Sequence, residues 1–131
     1  MNIKSFLVII FISSILFNCK RVEKDDVVEL ITVEEIDSLL EMSKVQLIDV
    51  RTPGEYAEGY IEGAVNIDFR NKNFKDLITK VDKTKPVIVY CARGARSKKC
   101  SAYMRKAGFT KIYDLDGGIT QWKFKRRKLV K

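Results

Sequence analysis

Histidine is absent from all 131 residues of the chain. That absence removes the Ser-His-Asp triad, the Cys-His dyad and the HExxH zinc site from any mechanism one copy of the chain can run. Cysteine is scarce, with three residues at positions 19, 91 and 100. These are too few for a four-thiolate zinc site and are not spaced as a disulfide framework. No metal site is expected, and none of the motifs below asks for a cofactor. An apolar run near the N-terminus, Ser5 to Phe17, is too short to cross ~30 Å of hydrocarbon as a helix, which takes about 20 residues. Internal repeats and low-complexity stretches are also missing. Any reactive thiol in this chain must draw its activation from arginine, lysine or backbone amides.

What is present fits one soluble domain with short appendages. The length supports a single core, and an apolar share of 46% beside 32% charged residues is enough to build it. The formal charge of +8 is uneven, because the tail Lys123-Phe-Lys-Arg-Arg-Lys-Leu-Val-Lys131 supplies much of it. Such a tail suits an anionic membrane surface or nucleic acid. The simpler reading is a solvated, partly frayed basic tail over 125–131, and no nucleic-acid partner is expected.

The N-terminus reads as an address. Met1 to Lys4 carries positive charge ahead of the short apolar run, the pattern of an export signal over 1–18. The stretch Leu16-Phe17-Asn18-Cys19, followed by Lys20-Arg21, resembles a bacterial lipoprotein signal. The resemblance implies cleavage before Cys19, lipid attachment to Cys19 and a polar tether over 19–27. It further implies a protein held to a membrane in the bacterial cell envelope, facing the periplasm. Plain secretion and an uncleaved anchor are the alternatives.

From Val28 the pattern alternates between strands and helices. Glu29 to Ile31 predicts a short strand, and Thr32 with Glu35 predicts a capping-box helix start ahead of Ile36, Leu39 and Leu40. Val45 to Val50 is a nearly continuous apolar strand, as expected for one buried on both faces. Thr52, Pro53 and Glu55 open another helix, with Thr52 as N-cap and Pro53 at the first position. A strand over 64–67, helical spacing of Phe74, Leu77, Ile78 and Val81, and the strand Val87 to Tyr90 follow. Ser97 to Ala107 reads as a helix closed by Gly108, Lys111 to Asp114 as a last strand, and Asp116-Gly117-Gly118 as a turn into a short helix carrying Trp122. The alternation predicts an α/β fold with a central, mainly parallel sheet flanked by helices.

Chemistry concentrates where the strand Val87 to Tyr90 stops at Cys91. Open parallel sheets bind ligands beyond the C-terminal ends of their strands. Here the loop from Cys91 runs through Ala92, Arg93, Gly94, Ala95 and Arg96 into a helix start at Ser97. Unpaired N–H groups at a helix N-terminus, with its dipole, stabilise negative charge, and a tight loop of inward amides forms an anion nest. With Arg93 and Arg96 on the rim, the thiol pKa should fall from ~8.5 toward or below neutrality. A buried core cysteine is the bland alternative for Cys91. For Cys100, on one helical face with Tyr103, Met104 and Ala107, core packing is the expected role.

Three blocks carry a family resemblance: LIDVRTPGEYAEGYIEGAVNI (47–67), VIVYCARGARS (87–97) and DLDGGITQW (114–122). In this order and at these distances they resemble the single-domain rhodanese-like sulfurtransferases, over residues 28–124. The resemblance implies that Cys91 carries a sulfane sulfur as a persulfide between a small-molecule donor and a thiol or cyanide acceptor. It also implies that residues 92–97 bind the donor, with Asp49 and Arg51 as supporting residues. Glu55 is a candidate ion-pair partner for Arg51, or simply a helix cap. Tyr60 stands where the family commonly has histidine, and is read as structural. Related phosphatases and arsenate reductases use a loop one residue longer, with the arginine six positions after the cysteine. Here Arg96 comes at the fifth, which favours sulfur transfer, and two loop arginines favour thiosulfate as donor. A phosphatase or arsenate reductase on the same scaffold, and a non-catalytic binding module, remain the rival readings. A monomer or weak dimer is expected.

Overall fold

The computed structural model describes residues 25–42 and 44–131. The expected export signal, Cys19 and most of the expected tether lie outside the described residues. Among the described residues five strands form one sheet: β1 (Val28–Ile31), β2 (Gln46–Asp49), β3 (Val65–Asn66), β4 (Val87–Tyr90) and β5 (Ile112–Leu115). Their order is β1-β5-β4-β2-β3, and every pairing is parallel. The helices are α1 (Val33–Leu40), α2 (Pro53–Ala57), α3 (Phe74–Ile78), α4 (Ala95–Lys106) and α5 (Gly118–Phe124). The α/β architecture is the expected one.

Strand periodicity divides the core. All four residues of β4 are buried, and successive side chains point to opposite faces. Val87, Val89 and Cys91 join Phe74, Ile78, Cys100 and Met104 from α3 and α4. Ile88 and Tyr90 join Val33, Ile36, Ile119 and Trp122 from α1 and α5. Such a strand must be apolar throughout, which is why Val87-Ile-Val-Tyr90 reads so clearly in the sequence.

The connections place a crevice at one spot. The chain leaves β2 for β3 on one side of the sheet and leaves β4 for β5 on the other. Neighbouring strands whose connections diverge open a gap at their C-terminal ends, where α/β sheets take ligands. Asp49 ends β2 and Tyr90 ends β4, in register with each other. Both predicted capping boxes are present: Thr32 N–H donates to the Glu35 carboxylate at 2.7 Å and Thr52 N–H to Glu55 at 2.9 Å. Each threonine hydroxyl accepts the glutamate N–H in return.

Three details differ from the sequence reading. Helix α4 begins at Ala95, two residues before Ser97, because Gly94 adopts φ 110° as its N-cap and the backbone turns helical at once. The tail is docked rather than frayed. Tyr60 and Val130 exchange backbone hydrogen bonds at 3.0 Å, the Trp122 indole N–H donates to the Lys128 carbonyl, and Arg127 pairs with Asp37 and covers the Trp122 ring. The basic run and Leu129-Val130 in the tail thus serve packing. The described end of the tether is also held: Asp25 accepts the Val27 and Val28 N–H groups and pairs with Arg105 at 3.2 Å.

Candidate active site

Cys91 sits one residue past β4 and is 1% exposed, so its sulfur lies on the floor of the loop. Gly94 N–H donates to Sγ at 3.0 Å, and the Ser97 hydroxyl oxygen lies 3.6 Å from it. Burial opposes ionisation of this thiol. The amide and hydroxyl of Ser97, with the amides of Gly94 and Arg93, outweigh burial and bring the thiol below its ordinary pKa. Cys100 has no such amides, and burial pushes its thiol up to about 12. Two cysteines on one side of the sheet therefore differ in acidity, the loop thiol shifted down and the helix thiol up.

The loop is pinned from behind by α5. Ile119 N–H donates to the Cys91 carbonyl at 2.9 Å and Thr120 N–H to the Ala92 carbonyl at 3.0 Å. That approach requires glycine at 118, because a Cβ there would lie 2.4 Å from the Cys91 carbonyl oxygen and 2.9 Å from the Ala92 carbonyl. The double glycine thus fixes the loop as well as opening the helix, a role its sequence position did not reveal.

The two loop arginines have different fates. Arg96 makes a bidentate pair with Glu55, at 2.7 and 2.8 Å. The Arg96 guanidinium holds the Glu55 carboxyl well below the usual carboxylate range. Arg93 is exposed and makes no ion pair among the described residues. It lines a crevice of about 530 Å³ with Gly94, Lys98, Asp114, Asp116 and Gly117. A separate groove of about 470 Å³ runs along β3 and contains no residue of the loop. Ala95, exposed, is the first residue of α4, and Ser97, fully buried, stands in its first turn.

Asp49 and Arg51 come together as a buried pair. Arg51 Nε lies 3.0 Å from Oδ1 of Asp49, Nη2 lies 2.6 Å from Oδ2, and the guanidinium also donates to the Gly59 carbonyl at 2.8 Å. Of the two roles open to Glu55 from sequence, the helix cap is present and the pairing with Arg51 is not. Asp49, two residues away, takes Arg51, and Glu55 reaches across the site to Arg96. Arg51 also lies 5.9 Å over the ring of Tyr90, the residue before Cys91, so the pair ties the ends of β2 and β4 together. Asn66 completes this brace by donating to the Asp49 and Arg51 carbonyls at 3.0 and 2.9 Å. Tyr60 stacks on Tyr56 with ring centroids 4.0 Å apart, a structural role as expected.

A parallel α/β sheet with one thiol facing a loop amide at its switch point is the arrangement of the cysteine-loop α/β domains. The comparisons narrow the class. The model of the rhodanese-like domain matches residues 32–125, and the chain belongs to that family. It is similar to the thiosulfate sulfurtransferase GlpE of Shewanella oneidensis, 32% identical over 92 residues that cover 70% of this chain and 89% of the relative. The Pseudomonas aeruginosa protein of the same name is 35% identical, covering 75% and 86%. Among solved structures, a rhodanese-like domain protein from Staphylococcus aureus superposes with a TM-score of 0.64 at 34% identity, covering 72% and 90%. A rhodanese-related protein from Thermoplasma volcanium gives 0.69 at 24% identity, covering 78% and 97%, and supports the fold.

Proposed function

We propose that the chain is a sulfurtransferase that moves a sulfane sulfur from an anionic donor such as thiosulfate to a thiol or cyanide acceptor, through a persulfide on Cys91. The observation that carries this reading is the Gly94 N–H, 3.0 Å from Sγ, at the entry to a helix. It stabilises a thiolate in a chain with no histidine. The Cys91 thiolate attacks the outer sulfur of thiosulfate. A new S–S bond forms as the old one breaks, and its electron pair leaves with sulfite. An acceptor thiolate or cyanide then takes the outer sulfur of the persulfide, and Cys91 departs as the thiolate it began as. The same amides serve both halves, because each step leaves negative charge on sulfur inside the nest.

The relatives named as thiosulfate sulfurtransferases support this choice of donor. Of the two loop arginines, the geometry favours Arg93 to meet it. Arg96 is held by Glu55, whereas Arg93 is uncommitted at the rim. Steady-state assays of thiosulfate:cyanide sulfurtransfer beside aryl-phosphate hydrolysis and arsenate reduction test the proposal. Sulfurtransfer dependent on Cys91 is expected; phosphate release or arsenate reduction in its place would refute it. Export and lipid attachment at Cys19 belong to the same proposal, which places the activity at the surface of a membrane in the cell envelope.

A further inference from the structure

A crevice of about 530 Å³ opens from the active loop. Gly94, whose N–H meets the Cys91 sulfur at 3.0 Å, lines it beside Arg93 and Ala95. Its other walls include Lys98 from α4 and Val28 and Leu30 from the edge strand β1. The volume lies within the range of small-molecule sites, roughly 300–1,000 Å³. Whatever enters therefore abuts the loop that holds the reactive sulfur.

The walls carry two kinds of chemistry. Val28 and Leu30 are two apart on β1 and so share one face of the sheet, and Leu30 is left 64% exposed. The other exposed large apolar side chains, Leu40, Met42, Val65 and Phe124, lie elsewhere. The apolar wall is thus a short strip rather than a protein-sized patch. Arg93 and Lys98 are both exposed and make no ion pair among the described residues. Of the acids that share the crevice, Asp25 pairs with Arg105 at 3.2 Å and accepts the Val27 and Val28 N–H groups. Asp114 is buried, and Asp116 is exposed and makes no ion pair among the described residues. Asp116 offsets one of the two cations.

We propose that this crevice is the acceptor subsite and takes a small thiol carrying a carboxylate on an apolar stem. Arg93 and Lys98 attract the carboxylate, Val28 and Leu30 cover the stem, and the thiol is left at the Gly94 end beside Cys91. The acceptor thiol sheds its proton to solvent, and its sulfur takes the outer sulfur of the Cys91 persulfide. The bond between the two persulfide sulfurs breaks, and its electron pair returns to Cys91. Arg93 serves both halves in turn, because sulfite has left before the acceptor arrives. The inference rests on the proposed function and names the acceptor class for that same site.

Acceptor kinetics on the full chain, loaded with thiosulfate, use three thiols of one stem length: mercaptohexanoate, mercaptohexanol and aminohexanethiol. The acid exceeds the alcohol in kcat/KM by roughly three- to tenfold, as for charge-assisted contacts at a partly exposed rim, and exceeds the amine by more. Added salt shrinks the preference. Lys98→Gln reduces it, Lys98→Gln with Arg93→Gln removes it, and Asp116→Asn enlarges it. Lys99→Gln, outside the crevice, keeps it. Leu30→Ser lowers the advantage of mercaptohexanol over mercaptoethanol. Each ratio is taken within one protein, so a partial loss of folding cancels.

A second readout dispenses with sulfur transfer. Iodoacetamides bearing the same stem, ended in carboxylate or hydroxyl, alkylate the Cys91 thiolate with loss of iodide. The full chain carries Cys100→Ser, and the product at Cys91 is read by peptide mass spectrometry. The carboxylate reagent reacts faster by a similar factor, and the double variant removes its advantage. Equal rates for acid and alcohol, a preference for the amine, or a preference that survives the double substitution would overturn the inference. A cysteine peptide with acidic neighbours that outcompetes the small acid would also overturn it, since the occupant would then be a protein. Charge discrimination in alkylation without any gain of sulfur from thiosulfate would sink the proposed function and leave the crevice standing. Sulfur transfer without discrimination would do the reverse.

Discussion

Replacing Gly118 by alanine should loosen the active loop in a way that can be separated from backbone strain. Gly118 has φ +55°, and an added Cβ would meet the Cys91 carbonyl oxygen at 2.4 Å. Gly63, at φ +82°, has nothing within 4 Å of the same added atom. Both alanines carry the left-handed backbone penalty of roughly 1–2 kcal/mol. Only the Gly118 variant must also push the loop away from α5, which strains or breaks the Ile119 and Thr120 hydrogen bonds to the Cys91 and Ala92 carbonyls. At about 1 kcal/mol for each bond, Gly118→Ala should cost roughly 3–4 kcal/mol and Gly63→Ala roughly 1–2 kcal/mol. Urea denaturation measures both, and a shared slope keeps the comparison valid. Because the displaced atoms belong to the thiolate's own loop, the folded Gly118 variant should also alkylate at Cys91 more slowly at neutral pH than the Gly63 variant. Equal destabilisation by the two alanines, with equal thiol reactivity, would refute the pinning of the loop by α5.

Glu55→Gln keeps the helix cap, since glutamine also suits a capping box, but releases Arg96. It should lower stability by about 1 kcal/mol, read by denaturation, and lower the thiosulfate KM several-fold at low ionic strength. An unchanged KM would make the pair purely structural. Cys91→Ser should abolish sulfurtransfer whereas Cys100→Ser keeps most of it, because only Cys91 meets the amide nest; equal loss in both folded variants would indicate a dithiol mechanism. Burial raises the Asp114 pKa above that of the unfolded chain, so the folded state binds this proton more tightly and stability falls as pH rises from about 4 to 6. Asp114→Asn should accordingly gain stability over the wild type at pH 7 and lose that advantage near pH 4, measured by urea melts at the two values. Native protein should partition with membranes, and Cys19→Ala should release it or leave an unprocessed precursor; a wild-type protein recovered wholly soluble with another N-terminus contradicts lipid attachment.

How much could be read in advance follows the range of each interaction. Strand β4 was legible because burial on both faces demands an unbroken apolar run. The caps at Thr32 and Thr52 were legible because each closes over three residues. Cys91 stood out as the residue where that run meets a helix start. The partners of Arg51 and Arg96 were not legible, since Glu55 and Arg96 are 41 positions apart and any nearby carboxylate satisfies the same charge rule. The Gly118 contact depends on how α5 lies against the loop, which local sequence does not encode. Asp114 had left a usable trace. An acid within an apolar strand, with the Ser101 hydroxyl 3.5 Å away, marks a buried polar cluster. The basic tail misled because charge suggests solvation, whereas Leu129, Val130 and the stacked Arg127 dock it.

The central claim is that Cys91 accepts a sulfur atom, and intact mass after incubation with thiosulfate tests it most directly. The account predicts a gain of one sulfur atom in the wild type and in Cys100→Ser, removed by cyanide and absent from Cys91→Ser. A wild-type mass unchanged by thiosulfate, or a gain that survives Cys91→Ser, would contradict it.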